Sequence, residues 1–229
     1  MIDSILTPSV FSHPDVAAGF TLRGFAPVDQ SRAQVRARLG RVTGFQAVAS
    51  VGQVHGADVA TVRTGGHVEA HDGAVTAEHG VLLTVVAADC ALVLLADAEA
   101  GVVGACHSGW RGTVAGVVGE TVRAMAALGA RAAQTRAWLA PCISAEAFEV
   151  GEEVAAQFRD TVVVRRPEWP RPHIDLQAEL RLQLADAGVP VSQVAADESC
   201  TLRQPERFYS YRGESGTEGR MLGFIGLRA

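Results

Sequence analysis

Polar side chains that could bind a metal ion or act on a substrate lie at three points where an apolar stretch of the sequence ends. The segments are QVHG at 53–56, ADC at 88–90 and CHSGWRG at 106–112. Burying such groups costs free energy unless they are paired or bound to a ligand. The ends of strands are also where sites usually form in α/β proteins. The three segments together predict one functional site.

Imidazole and thiolate groups suit zinc or copper, and three protein ligands with an open fourth position are typical of catalytic zinc. His55, Cys90 and His107 can form such a set, although they lie far apart in the chain and match no compact metal motif. A second interpretation therefore stays open. In it, the two histidines are hydrogen-bonded loop residues and Cys90 is a thiol of the core.

The elements that must position these residues can be predicted from hydrophobic patterning and turn residues. Strands are expected at 45–54, 81–86, 91–96, 102–106, 137–140 and 221–227, and helices at 113–128, 151–158 and 175–187. A helical run is also expected within 20–38. Strands interleaved with helices indicate an α/β or α+β fold, a layered sandwich of mixed β-sheet with flanking helices. No long linker is visible, so we expect residues 1–229 to form a single domain.

Composition excludes several classes of partner. The chain has 48% hydrophobic and 20% charged residues, which is typical of a globular protein. Its net charge is −5 and its 20 basic residues, all arginine, are spread along the sequence, which argues against nucleic acid as a partner. The N-terminal segment lacks the pattern of an export signal, and no apolar run is long enough to span a membrane. We expect a cytoplasmic protein, either a monomer or a small homo-oligomer, with reduced cysteines.

Beyond the three segments, further motifs follow in the order of a known family. They are APCI at 140–143, FEVG at 148–151, HIDL at 173–176, CT at 200–201 and FYSYR at 208–212. With QVHG, ADC and HSGWRG, they resemble the YfiH/laccase-domain family, whose members are also described as polyphenol oxidases or purine nucleoside phosphorylases. The resemblance runs from His55 to the end of the chain and implies a YfiH-like fold. It also implies that His55, Cys90 and His107 bind zinc, with copper as the alternative ion.

The sequence departs from the family pattern at a few positions. Ser108 stands where the family usually has alanine, Ala140 where it has glycine, and Gly213 where it often has arginine. Residues 20–38 lack the Ser-Leu-Asn-Leu-Gly stretch of the family. We expect the single substitutions to be tolerated, whereas the altered N-terminal part bears on the rim of the pocket and on substrate preference.

The resemblance implies chemistry on purine nucleosides: phosphorolysis of adenosine, inosine and methylthioadenosine to the free base and a sugar 1-phosphate, and deamination of adenosine. Phosphorolysis needs a held phosphate, and arginine suits phosphate because its guanidinium donates in a bidentate fork. Arg111 is the first candidate for this role and Arg212 the second. Asp89, beside Cys90, is a candidate to orient a ligand or act as general base, and Asp72 is a candidate for substrate binding. For each of them a structural role is an equal alternative, such as a turn at Asp72.

Three other functions remain open. A copper-dependent polyphenol oxidase would need several coppers and more histidines than the seven in this chain. A cysteine amidase or hydrolase that edits peptidoglycan precursors would use Cys90 as the nucleophile and His107 as the base. A non-enzymatic binding module would carry these motifs only for folding, but three ligands with an open position fit structural zinc poorly.

Overall fold

Two six-stranded β-sheets form the centre of the structure, a computed structural model that describes residues 4–26, 29–216 and 219–229. The strands are β1 Ile5–Leu6, β2 Val16–Thr21, β3 Ala47–Gly52, β4 Val59–Thr61, β5 Gly66–Glu69, β6 Gly73–Thr76, β7 Val81–Ala87, β8 Ala91–Asp97, β9 Val102–Ser108, β10 Arg136–Leu139, β11 Val163–Val164, β12 His173–Ile174, β13 Val194–Ala196 and β14 Met221–Leu227. The helices are α1 Arg32–Thr43, α2 Trp110–Val114, α3 Val117–Ala127, α4 Glu152–Ala155 and α5 Leu176–Asp186.

Both large sheets are mixed. The first has the strand order β1-β2-β14-β7-β3-β5, in which β3 runs parallel to β5 and β7 and the other pairs are antiparallel. The second has the order β13-β10-β8-β9-β6-β4, with parallel pairs only at its two edges. Strands β11 and β12 form a small antiparallel pair. This α+β arrangement confirms the predicted class, with two mixed sheets at its centre.

The two sheets pack face to face, and helices cover their outer faces. Phe20 of the first sheet meets Trp138 of the second edge to face, with ring centroids 6.4 Å apart. Leu94 lies in this inner core, whereas its neighbour Val93 packs on the other side with α3 and α5. Helix α1 covers the outer face of the first sheet through Leu39. The result is a four-layer order of helix, sheet, sheet and helix.

Strands that are covered on both faces read as unbroken apolar runs rather than as alternating ones. For this reason β7, β8, β9 and β14 match the stretches predicted at 81–86, 91–96, 102–106 and 221–227. The strands β4, β5 and β6 have three or four residues each, too few for a pattern to show, and they were not predicted. Among the described residues, no helix combines the length and apolar character needed to cross a bilayer.

The helix predicted at 113–128 is wrong in one respect, because the chain breaks there into α2 and α3. Gly116 lies between them in the left-handed region, with φ of +81°. Val114, counted among the apolar positions, is 39% exposed. The helical period therefore belongs to α3 alone. The helix predicted at 175–187 is confirmed as α5, and Asp175 caps it by accepting a hydrogen bond from the N–H of Ala178 at 2.9 Å.

The break at Gly116 gives a test of this backbone. We expect Gly116→Ala to lower the free energy of unfolding by about 1 kcal/mol, because a residue with a Cβ is strained at positive φ. Gly119→Ala, inside α3, is the matched control: its new Cβ would also meet nothing within 4 Å, and it should stabilise the helix by about 0.5 kcal/mol. Urea denaturation of both variants measures the difference. A shift of the same sign in both would contradict the break.

Candidate metal centre and its pocket

The structure brings together the three predicted ligands, His55, Cys90 and His107. His55 follows β3, Cys90 lies between β7 and β8, and His107 is near the end of β9. One ligand atom from each lies within 4.8 Å of the other two, and within residues 4–26, 29–216 and 219–229 this is the only such group of His, Cys, Asp or Glu side chains. Two imidazole nitrogens and a thiolate fit zinc or copper and leave a fourth position open. The donor set is that of a single-metal site.

The buried carboxylate of Asp72 holds both histidines. It accepts hydrogen bonds from the backbone N–H groups of Val54 at 3.0 Å, His55 at 3.0 Å and Gly56 at 2.7 Å. It also accepts one from Nδ1 of His107 at 2.8 Å. His55 has a φ of +63°, a strained conformation that these bonds stabilise. With Nδ1 of His107 donating to Asp72, its Nε2 is left for a metal ion.

Electrostatics around these groups follow from burial and from the same hydrogen bonds. Burial lowers the pKa of His107, but the bond to Asp72 and the contact with Cys90 outweigh it and raise the pKa to about 9. Burial raises the pKa of Asp72, yet the bonds from His107, Gly56 and Val54 bring it below its ordinary value. Burial and the neighbouring His107 lower the pKa of His55. Asp72 is therefore ionised, His55 favours the neutral form that can bind a metal, and His107 must release a proton from Nε2 before that atom can bind one.

Cys90 differs from the other three cysteines because it is only partly buried and lines the pocket. Burial raises the pKa of Cys142, and it raises that of Cys106 to about 12, so these two groups stay thiols at neutral pH. Cys200 is buried as well, and its Sγ accepts a hydrogen bond from the N–H of Ser144 at 3.3 Å. Cys90 is the cysteine placed to act as a ligand or a nucleophile.

The turn into α2 closes around the ligands. A Cβ at Gly109 would lie 2.8 Å from Nδ1 of His55 and 2.9 Å from Sγ of Cys90, so only glycine allows these groups to approach. Ser108, which replaces the alanine usual in the family, is buried, and its hydroxyl lies 2.8 Å from that of Thr113. Because this buried hydroxyl has a partner, the substitution leaves the turn intact.

Asp89 lies beside Cys90 but turns its carboxylate elsewhere. The carboxylate accepts hydrogen bonds from the hydroxyls of Thr201 at 2.7 Å and Ser210 at 3.0 Å, and from the backbone N–H of Arg212 at 2.8 Å. Its own φ is +82°, which turns the chain sharply just before Cys90. The carboxylate is thus occupied in tying down the C-terminal loop. This geometry favours a positioning role for Asp89 over the predicted role of general base.

A pocket of about 700 Å³ opens beside the three ligands and is lined by both predicted phosphate-binding arginines. The guanidinium of Arg111 lies 4.3 Å from the ring centroid of Trp110. Arg212 donates to the backbone oxygen of Glu149 at 2.8 Å. Asp72, predicted to bind substrate, has no exposed surface and does not line this pocket. Its contacts are those of a residue that positions the ligands, and the prediction of direct substrate contact needs this correction.

Three further arginines in the pocket wall were not predicted from the sequence: Arg32 and Arg36 of α1, and Arg220 just before β14. The only available signal was the arginine-rich sequence of α1. The start of α1 lies in residues 20–38, the segment that departs from the family pattern. The family motifs therefore assigned no residue of α1 to the pocket. The walls thus carry more positive charge than the motifs suggested.

Comparisons with known proteins identify relatives of this chain. The family model described as "Multi-copper polyphenol oxidoreductase laccase" matches residues 26–228, so the similarity begins well before His55. A purine nucleoside phosphorylase of Deinococcus radiodurans is 42% identical over 217 residues, which cover 92% of this chain and 83% of that protein. The adenosine deaminase RL5 of an unknown prokaryotic organism is 35% identical over 158 residues, 66% of this chain and 60% of that protein. The crystal structure of YlmD from Geobacillus stearothermophilus superposes with a TM-score of 0.89 at 28% identity, covering 100% of this chain and 98% of that one.

The role of Asp72 can be tested through metal affinity. Asp72→Asn should weaken zinc binding about 10- to 100-fold, because an amide cannot hold His107 and the backbone of His55 as a carboxylate does. Asp97→Asn is the control, since Asp97 is equally buried but bonds to the N–H groups of Ala100 and Arg131. Competition with a chromogenic chelator measures both affinities. An unchanged affinity in Asp72→Asn, or an equal loss in both variants, would contradict this role.

Proposed function

The chain belongs to the laccase-domain family, which includes the YfiH-type proteins, and we propose that it is a zinc-dependent purine nucleoside phosphorylase that also deaminates adenosine. The observation that carries the proposal is the approach of His55, Cys90 and His107 beside an arginine-lined pocket of about 700 Å³. A cavity of this size is ordinary for small-molecule ligands. Relatives named for the two activities support the choice of reaction.

Zinc is favoured over a multi-copper centre by the number of ligand groups. Oxidation of phenols coupled to reduction of oxygen needs several coppers, whereas the described part of the chain offers a single three-residue group. Two histidines and one cysteine with an open position match catalytic zinc. Bound there, the ion would supply Lewis acidity to the reacting atoms. The protein's own side chains would bind and orient the two substrates.

Phosphorolysis joins a phosphate oxygen to C1′ of the sugar while the bond from C1′ to the base nitrogen breaks. The base leaves with the electron pair of that bond and takes up a proton. Arg111 is exposed and lines the pocket, and its guanidinium lies 4.3 Å from the ring centroid of Trp110. We assign it to the phosphate, because a guanidinium can donate two parallel hydrogen bonds to it. Arg212 is the second cation for the phosphate, and Asp89 anchors its loop by accepting a hydrogen bond from its backbone N–H.

Aromatic side chains on the same wall suit a purine. Trp110, Phe148 and Tyr211 all line the pocket, and Tyr211 is 58% exposed. Flat faces of this kind stack on a nucleobase with little loss of side-chain freedom. The pocket thus combines an apolar surface for the base with cations for phosphate. Deamination, which replaces the 6-amino group by the oxygen of water and releases ammonia, would use the same base position.

A second candidate function rests on one contact. His107 lies between Asp72 and the thiol of Cys90, the order found in cysteine hydrolases, where the acid orients the histidine and the histidine activates the thiol. A cysteine amidase acting on peptidoglycan precursors would use this array without a metal. His55 has no part in such a mechanism. Its approach to Cys90 therefore favours the metal site.

The proposal is tested first by elemental analysis of protein purified without added metal, followed by incubation with adenosine with and without phosphate. About one zinc per chain and phosphate-dependent release of adenine are expected. Cys90→Ala should lose both the zinc and the activity, whereas Cys106→Ala, which removes a fully buried thiol, should keep both. Full activity in metal-free Cys90→Ala protein would refute the metal mechanism. Metal-free wild-type protein with amidase activity would establish the cysteine hydrolase.

The role of Arg111 separates the two reactions. Arg111→Ala should raise the KM for phosphate tenfold or more while changing adenosine deamination much less, because only phosphorolysis uses phosphate. Arg123→Ala is the control, since Arg123 is an exposed residue of α3 paired with Glu120. Initial rates over a range of phosphate concentrations give the KM. An equal loss of both activities would argue against a phosphate-specific role.

A further inference from the structure

We propose that Arg32, Arg36 and Arg220 form a second subsite in the pocket, which binds a phosphate group. We call these residues the rim arginines. All three line the large pocket and also a smaller adjoining cavity of about 60 Å³, which none of the three metal-ligand candidates lines. Arg111 and Arg212 line only the large pocket. The rim arginines are therefore a separate group of cations on the side of the pocket that meets the smaller cavity.

Two rim arginines lie on one face of α1, where no described carboxylate pairs with them. Arg32 is the first residue of the helix and Arg36 lies four residues later, so their side chains are neighbours. The first turn of α1 holds no acidic residue, and no carboxylate of the described chain pairs with either guanidinium. Burial and the charge of Arg32 both lower the pKa of Arg36. Two like charges face each other here.

The side chain of Arg36 also has an unused donor. Its Nε is buried and has no hydrogen-bond partner in the described part of the protein. A buried donor without a partner costs free energy, and the cost is larger for a charged group. Arg38 has an unpartnered Nε too, but its guanidinium lies 5.4 Å from the ring centroid of Phe25 and it does not line the pocket. Arg36 thus combines an open donor, a like-charged neighbour and access to the pocket.

Some other arginines of the described chain pair with carboxylates. Arg123 pairs with Glu120, Arg159 with Asp186, and Arg165 with Glu152. Arg32 and Arg36 have no such carboxylate among the described residues, and both line the pocket. A bound anion would relieve the repulsion between Arg32 and Arg36 and would fill the open donor at once. Phosphate fits best, since guanidinium groups recognise its oxygens in pairs.

The phosphate group can come from two sources: inorganic phosphate, or a ligand that carries its own phosphate, such as a nucleoside 5′-monophosphate. The rim arginines and the aromatic residues line the same pocket, so a nucleoside 5′-monophosphate is the probe that tests whether one ligand contacts both. The inference rests on the proposed function only for the choice of a purine probe. The subsite itself is measured by binding rather than by turnover.

The experiment is isothermal titration of the purified, metal-loaded protein in phosphate-free buffer. The probes are inorganic phosphate, inosine and inosine 5′-monophosphate, because inosine has no 6-amino group to lose and cannot be phosphorolysed without phosphate. The variants are Arg36→Gln and Arg32→Gln. Arg41→Gln removes the same charge from an exposed position of α1 and is the matched control. Circular dichroism checks the fold, and Arg32, exposed at the helix start, keeps the test valid if Arg36→Gln does not fold.

We expect inosine 5′-monophosphate to bind at least tenfold more tightly than inosine, and this advantage to disappear in Arg36→Gln and Arg32→Gln but not in Arg41→Gln. If the two rim variants instead weaken inorganic phosphate tenfold while the nucleotide binds no better than inosine, the subsite takes free phosphate. Phosphate binding that depends on the rim arginines, in a protein that binds no purine, would support the subsite and count against the proposed function. Rim variants that bind every probe as the wild type does, or that match Arg41→Gln, would overturn the inference.

Discussion

The carboxylate of Asp72 is the interaction on which the candidate metal centre depends. It joins the strained backbone around His55 to the imidazole of His107, so the two ligands share one anchor. Sheet pairing places that anchor: Gly73 pairs with Cys106, which sets Asp72 beside His107, and the backbone N–H of His107 donates to the oxygen of Asp72 at 2.8 Å. A slip of one residue between β6 and β9 would turn His107 away from the site.

The centre also depends on the packing of the two sheets, because each contributes a ligand. His55 follows a strand of the first sheet, His107 belongs to a strand of the second, and Cys90 lies where the chain crosses from one to the other. The side-chain amide of Gln53 bonds to both backbone groups of Val86, each at 2.8 Å, which ties the His55 loop to β7. Asp89 makes the sharp turn that starts the crossing. The positions of the three ligands therefore depend on the packed core between the sheets.

How much the sequence could predict follows from where each residue lies. The three candidate ligands stood out because histidine and cysteine at the ends of apolar runs are chemically conspicuous. Asp72 was predicted to bind substrate instead of holding the ligands, because only the pairing of distant strands shows what its carboxylate bonds to. The helix break at Gly116 was hidden for a similar reason, since apolar spacing carries no information about φ. The grouping of α1 with Arg220 depends on the sheet order, which patterning alone does not predict.

The name of the family and the geometry of the site point to different chemistry, and the geometry is the better guide. A fold hosts many reactions, while a reaction needs particular groups at particular distances. A multi-copper oxidase needs several metal sites, but the described chain brings together one group of three ligands. Arginines and aromatic rings line the pocket beside that group. The net charge of the whole chain, by contrast, is −5. Positive charge concentrated in the pocket of an acidic protein favours an anionic ligand, which agrees with the proposed reaction on phosphate better than with oxidation of a phenol, which is neutral at pH 7.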